Sequence, residues 1–184
     1  MKTAHHQAVN IVNEISNTYW IKKYRLLAGE YPGTPDTYQT REKIDKYLAV
    51  GINAFLDLTE DGELIPYRSQ LSQLSIQKGI NCAYRRMAIQ DLSTPKSPKY
   101  MLEILDQIDQ WSNEGRNVYV HCWGGVGRTG TVVGCHLIRN GFDGDGAITQ
   151  LSKYWKQMSI DKQKRHPQTP ETVDQFNYIR SFHS

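Results

Sequence analysis

Apolar and polar positions along the chain fall into two alternating patterns, short β-rich runs and longer stretches whose apolar residues recur at helical spacing. Near the start, Val9, Ile11, Val12 and Ile15 predict an amphipathic helix over Ala8–Ser16. Tyr24 to Ala28 reads as a short strand, stopped by Gly29 and a turn at Pro32-Gly33. Thr37 to Val50 is predicted helical, with Ile44, Tyr47 and Leu48 on one face and Gly51 as its stop. Ile52–Leu58 follows as a strand, apolar enough to be covered on both faces. The remaining chain repeats the scheme: helix Tyr67–Lys78, strand Asn81–Ile89, helix Ser97–Asn113 and strand Asn117–His121. Three more helices are then expected, Arg128–Arg139, Ala147–Met158 and Pro170–Phe182. Strands alternating with helices imply crossover connections, hence an α/β fold with a mostly parallel central sheet flanked by helices. In such sheets ligands bind beyond the carboxyl ends of the strands.

Length allows one domain over 1–184, with 1–23 as an N-terminal helical extension packed on or near it. The chain is 39% hydrophobic and 22% charged, the balance of a soluble α/β protein. No apolar run is long enough to span a bilayer, so no stable membrane insertion is expected. The N-terminus lacks the apolar core of a secretory signal, which points to the cytoplasm. A net charge of +3 leans slightly towards anionic ligands, but no basic stripe with interleaved aromatics suggests nucleic acid. The nearest candidate, Lys162-Gln163-Lys164-Arg165-His166, reads as a solvated surface loop. Cys82, Cys122 and Cys135 form no disulfide framework and no CxxC pair, so zinc has no support. Cys82 and Cys135 lie in apolar segments and read as inert core thiols.

Cys122 differs because of its neighbours. A strand ends there, five residues intervene, and Arg128 opens a helix. Gly124, Gly125 and Gly127 let the backbone curl so that N–H groups point inward around an anion, with Trp123 and Val126 completing the loop. The helix start adds its own unpaired amides and the positive end of its dipole, and Arg128 can grip phosphate oxygens with its planar fork. These features also stabilise a thiolate, whose pKa in such surroundings can fall from ~8.5 to between ~3.5 and ~7.5. Thr129 is positioned to donate its hydroxyl to the sulfur, and His121 to shape the loop through its imidazole.

The stretch His121-Cys122-Trp123-Gly124-Gly125-Val126-Gly127-Arg128-Thr129-Gly130 resembles the signature of the protein tyrosine phosphatase superfamily. The short chain is similar to its compact, dual-specificity-like branch. The resemblance implies a cysteine nucleophile, phosphate held by the loop and Arg128, and an acid on a loop after the preceding strand of the sheet. Asp91, in Ala88-Ile89-Gln90-Asp91-Leu92-Ser93-Thr94-Pro95, occupies that place. Asp57, Glu60, Asp61 and Glu63 follow another strand and read as a substrate-facing rim or solvated loop. Larger members of the superfamily carry a QTxxQ segment whose first Gln positions the attacking water. Gln168-Thr169-Pro170-Glu171-Thr172-Val173-Asp174-Gln175 is similar to it with longer spacing, and Gln168 is preferred over Gln175.

The implied reaction needs no cofactor and no metal. Phosphotyrosine and phosphoserine/threonine in proteins are the first substrate expected, and phosphoinositides or inositol phosphates the second. A monomer acting on a phosphorylated protein or a small phosphate ester is the expected assembly. Lipid-phosphatase relatives often place Lys inside the loop, whereas Trp123–Gly127 carries no charge. Two other readings remain: a phospho-ligand-binding module without turnover, and the GxGxxG spelled by Gly125–Gly130. The second lacks the acidic strand end of a dinucleotide site, since Asp143 and Asp145 sit in a glycine-rich turn.

Overall fold

In the computed structural model, which describes residues 15–183, the strands form where the apolar runs are densest. They are β1 (Thr18–Lys22), β2 (Leu26–Gly29), β3 (Ala54–Asp57), β4 (Ala83–Arg86) and β5 (Val118–His121). The sheet order is β1-β2-β5-β3-β4, with every pair parallel except the edge pair β1 and β2. Side chains alternate between two apolar layers. Ala54, Leu56, Val118 and Val120 face one, and Phe55, Tyr119 and Leu27 the other. Both faces are covered, which is why these strands read as continuous apolar runs.

The helices are α1 (Thr37–Ala49), α2 (Arg68–Gln77), α3 (Pro98–Asn113), α4 (Gly127–Arg139), α5 (Gly144–Trp155), α6 (Ile160–Arg165) and α7 (Val173–Ser181). Ile44, Tyr47 and Leu48 of α1 and Leu71 and Leu74 of α2 cover the Phe55 side of the sheet. Met101, Ile104, Val132, Leu151, Trp155 and Ile179, from α3, α4, α5 and α7, cover the Leu56 side. Local chemistry sets the starts. Asp36 caps α1 through Tyr38 and Gln39 N–H, and Ser97 caps α3 with Pro98 behind it. Asp143 caps α5, and Thr172 forms a reciprocal capping box with Gln175 on α7.

Several boundaries differ from the sequence expectation. Residues 18–22, assigned to a helical extension, form the edge strand β1, whose Thr-Tyr-Trp-Ile sequence is β-prone. Ile15–Asn17 is a bend and turn, and residues 8–14 of the expected first helix lie outside the described residues. Tyr24 has φ +60° in the β1–β2 turn, so the strand expected from Tyr24 begins at Leu26. The last helix starts at Val173, not Pro170, because Thr172 supplies its cap. Asp143 and Asp145 open α5 instead of lying in a loop, and Arg180 on α7 pairs with Asp145 at 2.9 Å. The basic stretch 162–166, read as a solvated loop, is mostly α6, and Lys162 within it is buried.

Among the described residues no helix is long and apolar enough to cross a membrane.

Candidate active site

The carboxyl ends of β3, β4 and β5 open on one edge of the sheet. Asp57 pairs in register with His121 on one side and Arg86 on the other. Three loops therefore rise together: 58–67 after β3, 87–97 after β4 and 122–126 after β5.

The loop from Cys122 curls over the end of β2. Gly125 has φ +70°, and a Cβ there would strike the backbone of Gly29 and Glu30. Only glycine satisfies both demands. Tyr31 N–H donates to Trp123 O at 2.8 Å, tying loop and strand end together. No backbone carbonyl among the described residues accepts from the amides of Gly124, Gly125 or Val126, leaving them for an anion. Behind the loop, Gly127, Gly130 and Gly134 form one face of α4, against which Gln175, Thr169 and Ile179 pack. Thr169 Oγ1 donates to Val126 O at 2.8 Å and Thr131 Oγ1 to Gly127 O at 2.9 Å.

Beneath the loop, His121 is fully buried. Its Nε2 lies 2.7 Å from Tyr67 OH and its Nδ1 3.4 Å from Cys122 O. Nδ1–H facing that carbonyl and Nε2 accepting from the phenol is the tautomer this network assigns. Burial pushes the imidazole pKa down to about 4 despite the nearby Asp57 carboxylate, so the ring is neutral at pH 7. Asp57, expected on a solvated rim, is fully buried. It accepts from Thr59 N and Oγ1 at 2.9 and 2.7 Å and from Tyr84 OH at 2.7 Å. Burial works against its charge, but His121 and these bonds hold its pKa below the ordinary carboxylate value.

Arg128 is 1% exposed and held by acids. Its Nη1 and Nη2 each donate to Glu63 at 2.7 Å, Nη1 also reaches Ile89 O at 3.2 Å, and Nη2 lies 2.9 Å from Asp91 Oδ1. Burial alone would disfavour the guanidinium charge; the Glu63 bonds, Cys122 and Asp91 raise its pKa instead. Glu63 is the reciprocal case, with burial opposed by Arg128 and the net pKa lowered. The fork thus has one edge committed to Glu63, while Nε is buried without a partner among the described residues. On the Nε–Nη2 edge, Nη2 is shared between Glu63 and Asp91.

Cys122 (3% exposed) and Arg128 share a cavity of about 300 Å³ with Asp91, Leu92, Trp123, Gly124, Val126 and Gly127. Its wall is completed by Lys162, Arg165, His166 and Glu171. Trp123 is 59% exposed and separates this cavity from an adjoining, more apolar one of about 400 Å³ beside Tyr31, Pro35, Leu64 and Ile65.

Of the residues expected at the site, Cys122, Trp123, Gly124, Val126, Gly127, Arg128 and Asp91 therefore meet in one cavity, and others do not join them. Thr129 Oγ1 is buried without a hydrogen-bond partner among the described residues, so it does not reach the sulfur. Gln168 is exposed and outside the cavity wall. Gln175 is buried with its amide consumed, Nε2 on Ser93 O at 2.9 Å and Oε1 accepting from Glu171 and Thr172 N. The residue in that segment that lines the cavity is Glu171. Its signal was spacing: Glu171-Thr172-Val173-Asp174-Gln175 keeps the four-residue separation of QTxxQ, with a carboxylate for the first amide. Glu60 and Asp61 do not face the cavity either. Glu60 Oε2 accepts from Asp91 N at 3.3 Å, and Asp61 pairs with Arg86.

Over residues 15–177 the chain matches the family described as Swiss Army Knife protein, DSP-PTPase phosphatase domain. The chain belongs to that family. It is a dual-specificity-like phosphatase of the protein tyrosine phosphatase superfamily. Solved structures with the same fold include kinase-associated phosphatase with its catalytic cysteine changed to serine, at 21% identity and TM-score 0.64 over 85% of this chain and 84% of that one. PTPMT1 in complex with PI(5)P matches at 16% identity and TM-score 0.61, over 87% and 90%. TpbA of P. aeruginosa in complex with pTyr matches at 17% identity and TM-score 0.61, over 95% and 88%.

Cys135 is buried and its pKa raised by desolvation, and half-buried Cys82 is pushed up to about 12 by the same cause.

Proposed function

We propose that this phosphatase hydrolyses phosphate monoesters in two steps through a phosphocysteine on Cys122. The observation that carries the proposal is that Asp91 lies 2.9 Å from Arg128 across the cavity that holds Cys122. A phosphate seated on the loop amides and on the Nε–Nη2 edge of Arg128 takes the place of the Asp91 carboxylate. That releases Asp91 towards the leaving oxygen. Sγ attacks phosphorus, the P–O bond to the alcohol breaks, and Asp91 gives its proton to the departing oxygen. The loop amides and Arg128 hold the equatorial oxygens of the transition state.

In the second step water attacks phosphorus, the P–S bond breaks, and Asp91 takes the proton as inorganic phosphate forms. Glu171 is the group placed to orient that water, in the role expected of Gln168 or Gln175. Gln175 acts one step removed, fastening the Asp91 loop to α7 through Ser93 O.

Phosphorylated tyrosine, serine or threonine in proteins suits the open, Trp123-lined mouth. A small phosphorylated polyol is a second reading, favoured by the cations of α6. The reaction itself is tested with p-nitrophenyl phosphate in the presence of EDTA, comparing the wild type with Cys122→Ser. Loss of about 10⁴-fold or more in kcat is expected for removal of a nucleophile. Equal rates would overturn the mechanism in favour of a binding module.

A further inference from the structure

Helix α6 carries charge that the two-step chemistry leaves unused. Attack by Cys122 needs loop amides, Arg128 and a carboxyl group, but no lysine. Yet Lys162 is 5% exposed, and a Cβ built on Gly124 would stand 3.7 Å from its ammonium. A lysine buried against a phosphate-binding loop is costly unless compensated. Its carboxylate partner is Glu30 at 3.4 Å, and Glu30 also serves Lys43 at 3.2 Å. Two ammonium groups on one carboxylate leave net positive charge. Arg165 bonds only the backbone carbonyl of Asp161, at 3.4 Å, and has no carboxylate within 4 Å among the described residues. His166 stands 3.9 Å from Glu171. Lys162 and Arg165, three apart, share one side of α6, His166 caps its end, and all three line the cavity of Cys122 and Arg128.

We propose that this side of α6 is a second anion subsite, which holds another phosphate of the substrate while the first lies on the Cys122–Arg128 loop. The inference rests on the phosphatase reading above and names its substrate class: a small polyol bearing neighbouring phosphate monoesters. Lys162 abuts the loop itself, so the second phosphate sits directly beside the first, as on adjacent carbons of one ring. Asp91 lines the same cavity, and Glu171 stands beside His166. A lone phosphotyrosine leaves Arg165 without a counter-charge and Lys162 sharing Glu30 with Lys43. The absence of lysine from the loop, read from the sequence as an argument against such substrates, is thus made good from α6.

The test separates binding from turnover. Affinities of the Cys122→Ser protein for myo-inositol hexakisphosphate and myo-inositol monophosphate are measured by calorimetry at fixed ionic strength. The hexakisphosphate is expected to bind at least about tenfold tighter, and Arg165→Gln and Lys162→Met each to cut that ratio by about tenfold. Arg165 is exposed, so its variant remains informative if Lys162→Met fails to fold. Equal affinities for the two probes, or a ratio moved equally by Arg41→Gln away from the cavity, would overturn the subsite. Tighter binding of a doubly phosphorylated peptide than of the hexakisphosphate would overturn the polyol class. Vesicles containing a bisphosphorylated phosphoinositide form a further arm, in which binding that depends on Arg165 supports the same subsite filled by a lipid headgroup. Turnover of p-nitrophenyl phosphate by wild type but not by Cys122→Ser tests the phosphatase reading separately, because the binding ratio requires no catalysis.

Discussion

His121 and Lys162 are both buried, both ionisable and both set against the same loop, one beneath it and one beside it. The protein treats them in opposite ways. Under the loop, His121 is neutral and its two nitrogens face Tyr67 OH and Cys122 O, while the Asp57 carboxylate is taken up by Thr59 and Tyr84. Beside the loop, Lys162 shares one carboxylate with Lys43, and Arg165 has only a backbone carbonyl. A floor whose polar groups are met by protein holds shape; a wall whose charges exceed their partners is built for something that arrives. The Arg128 fork combines both, with one edge locked to Glu63 and Nη2 also meeting Asp91 in the cavity.

After loss of Cys122, the largest effect should come from the acid that meets Arg128 in the cavity. Asp91→Asn is expected to lower kcat about 10²- to 10⁴-fold on an alkyl phosphate, the usual range for a general acid. The loss should be much smaller on an aryl phosphate with a good leaving group. A uniform loss across leaving groups would assign the acid elsewhere.

The floor is predicted to fail in acid. The His121 pKa is near 6.5 when unfolded and about 4 when folded, so the unfolded chain binds the extra proton between those values. The stability that depends on neutral His121 is complete above about pH 6.5 and is lost as pH falls towards about 4, a change on the order of 3 kcal/mol. Urea unfolding across that window measures it, and a flat profile would show that the buried network does not depend on a neutral imidazole.

Glu63→Gln frees the locked edge of Arg128 and should reduce kcat/KM for p-nitrophenyl phosphate by about tenfold to a hundredfold, the worth of a charge-assisted pair. As a positioning effect it should appear in both kcat and KM, and be partly rescued by Glu63→Asp. Tyr67→Phe leaves His121 Nε2 buried without a donor and should cost about 1–3 kcal/mol, lowering Tm by roughly 2–4 °C for each of them. The smallest effect is expected from Glu171→Ala, which removes one hydrogen bond to water in the second step. About a fivefold slowing should appear as a larger burst of alcohol release, with the first step little altered. An unchanged burst would return the water to Asp91 alone.

Much of the fold was legible from periodicity alone. β3, β4 and β5 and helices α1 to α4 stand within a few residues of where the sequence pattern puts them, β3 and β5 because they are apolar and fully buried. The edge strand β1 escaped although its Tyr19-Trp20-Ile21 run is β-prone. Helix α6 escaped because its six residues, Ile160–Arg165, hold no apolar stripe, although Ser159 supplies an N-cap that could have marked it.

The same division explains the site. Local sequence was enough to bring Cys122, the glycines and Arg128 into one loop, since they and the helix start are contiguous and their geometry is local. It also singled out Asp91, through its place after a parallel strand. Which acid would lock Arg128, which member of 168–175 would face the cavity and whether Lys162 would meet solvent or loop depended on tertiary packing. Those side chains arrive from separate loops and helices, and their direction depends on how closely α7 and the 169–172 turn settle onto the glycine face of α4. Spacing along the chain fixes neighbours on one element; it does not fix which of them another element leaves facing the ligand.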